Sequence, residues 1–79
     1  MAKRRGKIGI QMRFGDVVRM RREELQLTQE DLAEKARIHR TYVSDIERGA
    51  RNVSLINIER LAQSLNWSLA AMFTAVDRT

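Results

Sequence analysis

Cysteine and proline are both absent from the 79 residues, and there is a single histidine, His39. Without cysteine the chain forms no disulfide and no thiolate metal site, and one histidine cannot supply a zinc-finger spacing. No metal, cofactor or small-molecule ligand is implied. The lack of cysteine fits a reducing, cytoplasmic setting. Long apolar runs are missing too. None approaches the roughly 18 residues of a membrane span, and no apolar stretch follows the basic N-terminus as a secretory signal requires. The expectation is a soluble intracellular protein with no membrane partner. The absence of proline leaves every helix interior unbroken. Length sets a further bound: a domain this small buries only about 60% of its unfolded surface, so its core is marginal. Such domains often gain stability from a partner or from oligomerisation.

Acidic residues are missing from one segment only. Lys3, Arg4, Arg5, Lys7 and Arg13 stand in residues 1–13 with no acid among them, whereas residues 14–79 hold ten Lys and Arg against ten Asp and Glu. The net charge of +5 is therefore a property of the N-terminal segment. Residues 1–13 read as a flexible basic arm, with two glycines and no helical period in its first eleven positions. Such an arm can find nucleic acid, or it can be a solubilising leader.

From Phe14 onward the apolar pattern is helical. Phe14, Val17, Val18 and Leu25 share one face, with Arg19, Arg21 and Arg22 around it. A short second helix over 28–36 is capped by Thr28, carries Glu30 and Asp31 in its first turn, and turns Leu32, Ala33 and Ala36 inward. A third begins near His39 and ends before Gly49, a natural glycine for a helix exit. Ser54 caps a fourth with Leu55, Ile58, Leu61, Ala62 and Leu65 as its stripe, and Asn66 tolerates a left-handed exit. Ser68 caps a fifth carrying Leu69, Met72, Phe73 and Val76. No strand, repeat or low-complexity segment is visible. The fold class is all-α: a compact five-helix bundle over residues 14–79.

The stretch "IHRTYVSDIERGARN", residues 38–52, has only Ile38, Val43 and Ile46 as aliphatic anchors. Helices two and three are joined by a very short link, and Ala33 is small where the third helix must cross. Leu32, Ala36, Ile38, Val43 and Ile46 fill the wedge between them. This is helix-turn-helix spacing, in which the second helix of the pair enters the DNA major groove. A groove-reading helix is apolar on one side only, and its outer face needs donors and acceptors matched to base edges. That need accounts for the thin apolar content.

With these residues in view, "LTQEDLAEKARIHRTYVSDIERG" resembles the Cro/repressor-like (XRE) helix-turn-helix family, whose fold is lambda-repressor-like. "HRTYVSDIERGARNVSLINI" is similar to the controller proteins of bacterial restriction–modification systems. The likeness spans about residues 13–76. It implies that Arg40 and Thr41 read bases, with Ser44 and Asp45 as second readers. It places Gln29, His39, Tyr42, Arg48, Arg51 and Asn52 against the DNA backbone, and makes Arg22 and Glu47 a structural ion pair. Two positions depart from the family pattern: Gln26 and Arg37 stand where glycine is usual. If both keep positive φ, each costs roughly 1 kcal/mol.

Blander readings stand beside these. Arg40 can be a solvated arginine, although the start of a recognition helix favours bidentate contact with guanine. Thr41 either assists the cap or touches a base, and Tyr42 either packs at the helix edge or meets a phosphate. A carboxylate at Asp45 repels phosphates, so it accepts from cytosine or orients a neighbouring arginine. Ser44, His39 and Asp45 cannot form a catalytic triad, because residues 44 and 45 point about 100° apart and His39 lies more than a turn away. With no nucleotide loop or carboxylate cleft, an enzyme is not expected. The implied function is a sequence-specific regulator of transcription that binds double-stranded DNA as a homodimer on a palindromic operator. Ile56, Leu69, Met72, Phe73 and Val76 are the expected dimer interface. The alternative is an antitoxin-like protein-interaction module. The sequence offers only the basic arm beyond the bundle, where such a module usually carries a partner-binding extension.

Overall fold

The computed structural model describes residues 9–79, and among them are five α-helices and no strand. They are α1 (Ile10–Glu24), α2 (Gln29–Ala36), α3 (Arg40–Glu47), α4 (Leu55–Ser64) and α5 (Leu69–Arg78). Helix α1 starts at Ile10, four residues before the expected Phe14. The apolar period could not announce this turn, because Ile10 and Met12 are 54% and 48% exposed and have no face to bury. Residues 10–13 are thus helical; the part of the basic arm in residues 1–8 lies outside the described residues.

Each later helix has a cap with a donor–acceptor partner or a defined turn. The Thr28 hydroxyl accepts from the Asp31 amide, and the Asp31 carboxylate accepts from the Thr28 amide, closing a capping box at α2. Hydrogen bonding to the Thr28 amide first, and to its hydroxyl second, holds the Asp31 carboxyl below its ordinary value of 3.8. Ser54 and Ser68 accept from Asn57 and Ala71 in the same way. Helix α3, like α1 at Gly9, starts without a side-chain cap bond: His39 occupies that position, and its carbonyl takes the amides of Tyr42 and Val43.

The first four helices end alike. Gln26, Arg37, Gly49 and Asn66 have φ of 59°, 61°, 76° and 58°. After each, the next amide reaches back across the last turn: Leu27 to Arg22, Ile38 to Ala33, Ala50 to Asp45 and Trp67 to Ala62, at 2.9–3.0 Å. This is the Schellman arrangement, in which a left-handed residue lets two amides satisfy carbonyls that the helix leaves open. Glycine fills one of the four places. Glutamine and arginine fill two others at a steric cost of about 1 kcal/mol each.

The core lies where α1 packs on α3 and α5, α2 on α3 and α4, and α4 on α5. Phe14, Val17 and Val18 meet Leu32, Ala33, Ala36, Val43 and Ile46 from the helix-turn-helix, with Leu61, Ala62, Leu65, Met72 and Val76 closing the other side. Two expectations change here. Leu55 is 75% exposed, because it opens α4 beyond the end of the core and does not join the apolar stripe. Met72 and Val76 are fully buried within one chain, so they belong to the core and not to a subunit interface. The 3.6-residue period puts Phe73 on the neighbouring, exposed face.

Helix α1 crosses the C-terminal end of α3 at Gly15. A Cβ on Gly15 would overlap the Ile46 carbonyl oxygen and meet that of Glu47 at 3.0 Å. The missing side chain is what sets the seat of α3 on α1.

Candidate nucleic-acid interface

Helix α3 has two unlike sides. Val43, Ile46 and Glu47 are buried against α1 and α2, while Arg40 and Thr41 are exposed and Ser44 is half-buried. Residues 40 and 44 lie one turn apart with residue 41 beside them, so Arg40, Thr41 and Ser44 form the outward stripe. Arg40 makes no ion pair or side-chain hydrogen bond among the described residues. Neither do Thr41 and Ser44, so their donor and acceptor groups remain open to a ligand.

Asp45 faces protein. Its carboxylate holds Arg48 through one oxygen and Arg51 Nε, at 3.3 Å, through the other. Its side chain is only 18% exposed, against 64% for Arg48 and 51% for Arg51. The acid thus sits behind two cations and turns them outward, which is the arginine-orienting role of its two sequence readings and not that of a free acceptor for a base. The Arg51 guanidinium also lies 4.8 Å from the Tyr42 ring centroid, a cation–π distance. The Tyr42 hydroxyl in turn accepts from Asn57 Nδ2 at 3.3 Å. A chain of contacts therefore runs Arg48–Asp45–Arg51–Tyr42–Asn57 along the edge of α3. Asn52 is exposed beside it.

Behind α3 lies a buried charge. Glu47, 4% exposed in its side chain, accepts from Arg22 Nε at 2.7 Å and Nη2 at 3.0 Å, and from Gln29 Nε2 at 3.0 Å. Arg22 Nη1 also donates to the Leu27 carbonyl at 2.8 Å, tying the pair to the α1 exit. The hydrogen bond to Glu47 raises the Arg22 pKa above its already high value, so this cation is permanent at any ordinary pH. The Gln29 amide, expected against phosphate, is engaged by Glu47 through its nitrogen. Gln29, at the start of α2, also lines an open recess of about 430 Å3 together with Arg40 and Glu30.

The two acids of α3 itself are placed so that they do not cancel its cations. Glu47 is buried and neutralised, and Asp45 is covered by the arginines it holds, whereas Arg40, Arg48 and Arg51 are exposed. A body with balanced charge thus presents a cationic face, the electrostatic requirement for a polyanion. His39 sits exposed at the start of α3, at the edge of this face. Sequence reasoning missed Asn57 and Gly15. An isolated glycine within a helical pattern is a signal of close approach and could have flagged Gly15; Asn57 left no such trace.

On this geometry the chain can be set beside known proteins. The helix-turn-helix family matches residues 18–71. The control protein C.MunI of Mycoplasma sp is 39% identical over 70 residues, covering 87% of this chain and 95% of its own length. The control protein C.BamHI of Bacillus amyloliquefaciens is 51% identical over 57 residues, covering 71% of this chain and 70% of its own. Among solved structures, the restriction–modification controller protein C.Esp1396I, as a tetramer in complex with its natural 35 base-pair operator, superposes with a TM-score of 0.82 at 33% identity. That match covers 87% of this chain and 91% of the other. A polar, cationic α3 on a helix-turn-helix frame, and relatives matched over 70%, 91% and 95% of their lengths, lead to one assignment: the chain belongs to the helix-turn-helix family, among the control proteins of restriction–modification systems.

Proposed function

We propose that the chain is a sequence-specific, double-stranded DNA-binding regulator of transcription that acts as a homodimer on a palindromic operator and controls restriction–modification genes. The observation that carries this reading is the outward stripe of α3, where Arg40, Thr41 and Ser44 have no partner within the described residues. Arg40 is the guanine reader, with its planar fork matched to O6 and N7. Thr41 and Ser44 read neighbouring base edges. Arg48 and Arg51, set outward by Asp45, meet phosphates together with Tyr42, His39, Asn52 and the N-terminal end of α2 at Gln29. Arg22 and Glu47 hold the reading helix and touch no DNA.

The second half of the reading is the dimer. Leu55, Ile56, Leu69 and Phe73 are exposed apolar side chains on α4 and α5, at 75%, 65%, 38% and 37%. Together they make the apolar surface that a second copy covers. A two-fold dimer places two reading helices about one DNA turn apart, roughly 34 Å, and so demands a palindromic site. The action is binding without catalysis, in the cytoplasm alongside the nucleoid. The similarity to proteins that are themselves control proteins supports this, and among the described residues no helix is long and apolar enough to cross a membrane. Selection from a random duplex pool tests the proposal. Enrichment of a two-fold symmetric site with a guanine in each half is expected, and recovery of unenriched sequences would overturn it.

A further inference from the structure

Two exposed arginines have no part in the sites described above. Arg37 sits in the turn between α2 and α3, and Arg60 lies on α4. Neither makes an ion pair or a side-chain hydrogen bond among the described residues. Both line the same two open recesses. One, of about 530 Å3, extends from them to His39, Thr41 and Tyr42 at the start of α3. The other, of about 460 Å3, lies on their far side and adds Lys35 and Gln63. No acid lines either recess. The outward stripe of α3 therefore continues, without a break in sign, around the turn and onto α4.

Arg37 also holds its place against a local penalty. Its φ of 61° is a conformation that glycine or asparagine adopts more easily. An arginine there brings a cation to the mouth of both recesses at the expense of the turn.

We infer that Arg37 and Arg60 form a second phosphate track, which takes the sugar–phosphate backbone of the duplex as it passes the N-terminal end of α3. This rests on the DNA reading given above. In that reading Thr41 faces the major groove, and the wall of the recess that contains Thr41 is the wall next to the adjacent strand. Two long guanidinium side chains without intramolecular partners match phosphate oxygens in geometry and charge. Such contacts carry no sequence information, so the track adds affinity and salt dependence while leaving base preference as it is.

The test uses the full chain with Arg37→Asn, Arg60→Gln and the double substitution, titrated at several salt concentrations on the preferred duplex and on an unrelated one. Each phosphate left without its arginine should reduce the slope of log K against log salt by about 0.9, which near 0.15 M salt is about five-fold in affinity. The double variant should lose by similar factors on both duplexes. Arg37→Asn should at the same time raise Tm, since it relieves the left-handed strain. Weaker binding by a more stable protein is a combination that a merely structural role cannot produce. Unchanged slope and affinity in the double variant would overturn the inference while leaving the DNA reading intact. A loss confined to the preferred duplex would also overturn it, because that is the mark of a base reader. A wild-type chain with no preference between the duplexes would overturn the DNA reading and the track with it.

Discussion

Three nitrogens of Arg22 and Gln29 converge on the Glu47 carboxylate in a place with almost no access to water. Breaking such a pair by removing one partner costs roughly 3–5 kcal/mol, because the other charge stays buried and uncompensated. A domain of this kind has only about 5–15 kcal/mol in total. Arg22→Ala and Glu47→Ala should therefore each bring the chain close to unfolding, and the double variant should lose much less than the sum of the two. Urea unfolding of the four proteins measures the coupling; additive losses would mean that the two groups do not act as a pair. The outward position of Arg40, Thr41 and Ser44 was legible from the period of Val43 and Ile46, which fixes one side of α3 and leaves the other. The bonds from Arg51 to Asp45 and from Gln29 to Glu47 were not. Gln29 lies 18 positions from Glu47, and Arg51 reaches Asp45 across a loop, so both bonds depend on tertiary placement that no local pattern encodes.

Among the helices, starts were easier to read than exits. Thr28, Ser54 and Ser68 put a hydroxyl ahead of an apolar period, and each hydroxyl accepts the expected backbone amide. Gln26 and Arg37 are poor left-handed residues on chemistry alone, and only the family resemblance marked their positions. The start of α1 escaped because its first turn has no buried face. Gly15 matters for how these elements meet. Gly15→Ala gains helix propensity of about 1 kcal/mol. The added methyl strikes two backbone carbonyls of α3, which cannot rotate away, and overpacking of this sort costs typically 1–3 kcal/mol. The expected outcome is a lower urea midpoint together with weaker operator binding, since α3 is the element displaced. A midpoint equal to or above the wild type would show that the crossing has slack.

Across the protein, exposed arginines stand around α3 at Arg40, Arg48 and Arg51. Uncovered apolar side chains lie on α4 and α5 at Leu55, Ile56, Leu69 and Phe73, and on α1 at Ile10, Met12 and Met20; Phe73 also stacks on Phe14 of α1, with ring centroids 6.3 Å apart. The exposed apolar part of α4 and α5 was legible in Ile56, Leu69 and Phe73. The sequence could not separate these from Met72 and Val76, because α5 is short and apolar on most of its circumference. Sedimentation at micromolar concentration should show a dimer that Phe73→Asp weakens, whereas Arg40→Ala should leave it intact. A strict monomer that stays monomeric on a full site would contradict the two-fold arrangement. Whether the outer face of α3 reads bases is decided by titrating wild type and Arg40→Ala on two duplexes. One is the preferred site, and the other has the guanine of each half-site replaced. With both proteins shown folded by circular dichroism, Arg40→Ala should lose about 1–3 kcal/mol on the preferred site and almost nothing more on the altered one. An equal loss on both duplexes would contradict base reading by Arg40, which would then be a backbone anchor.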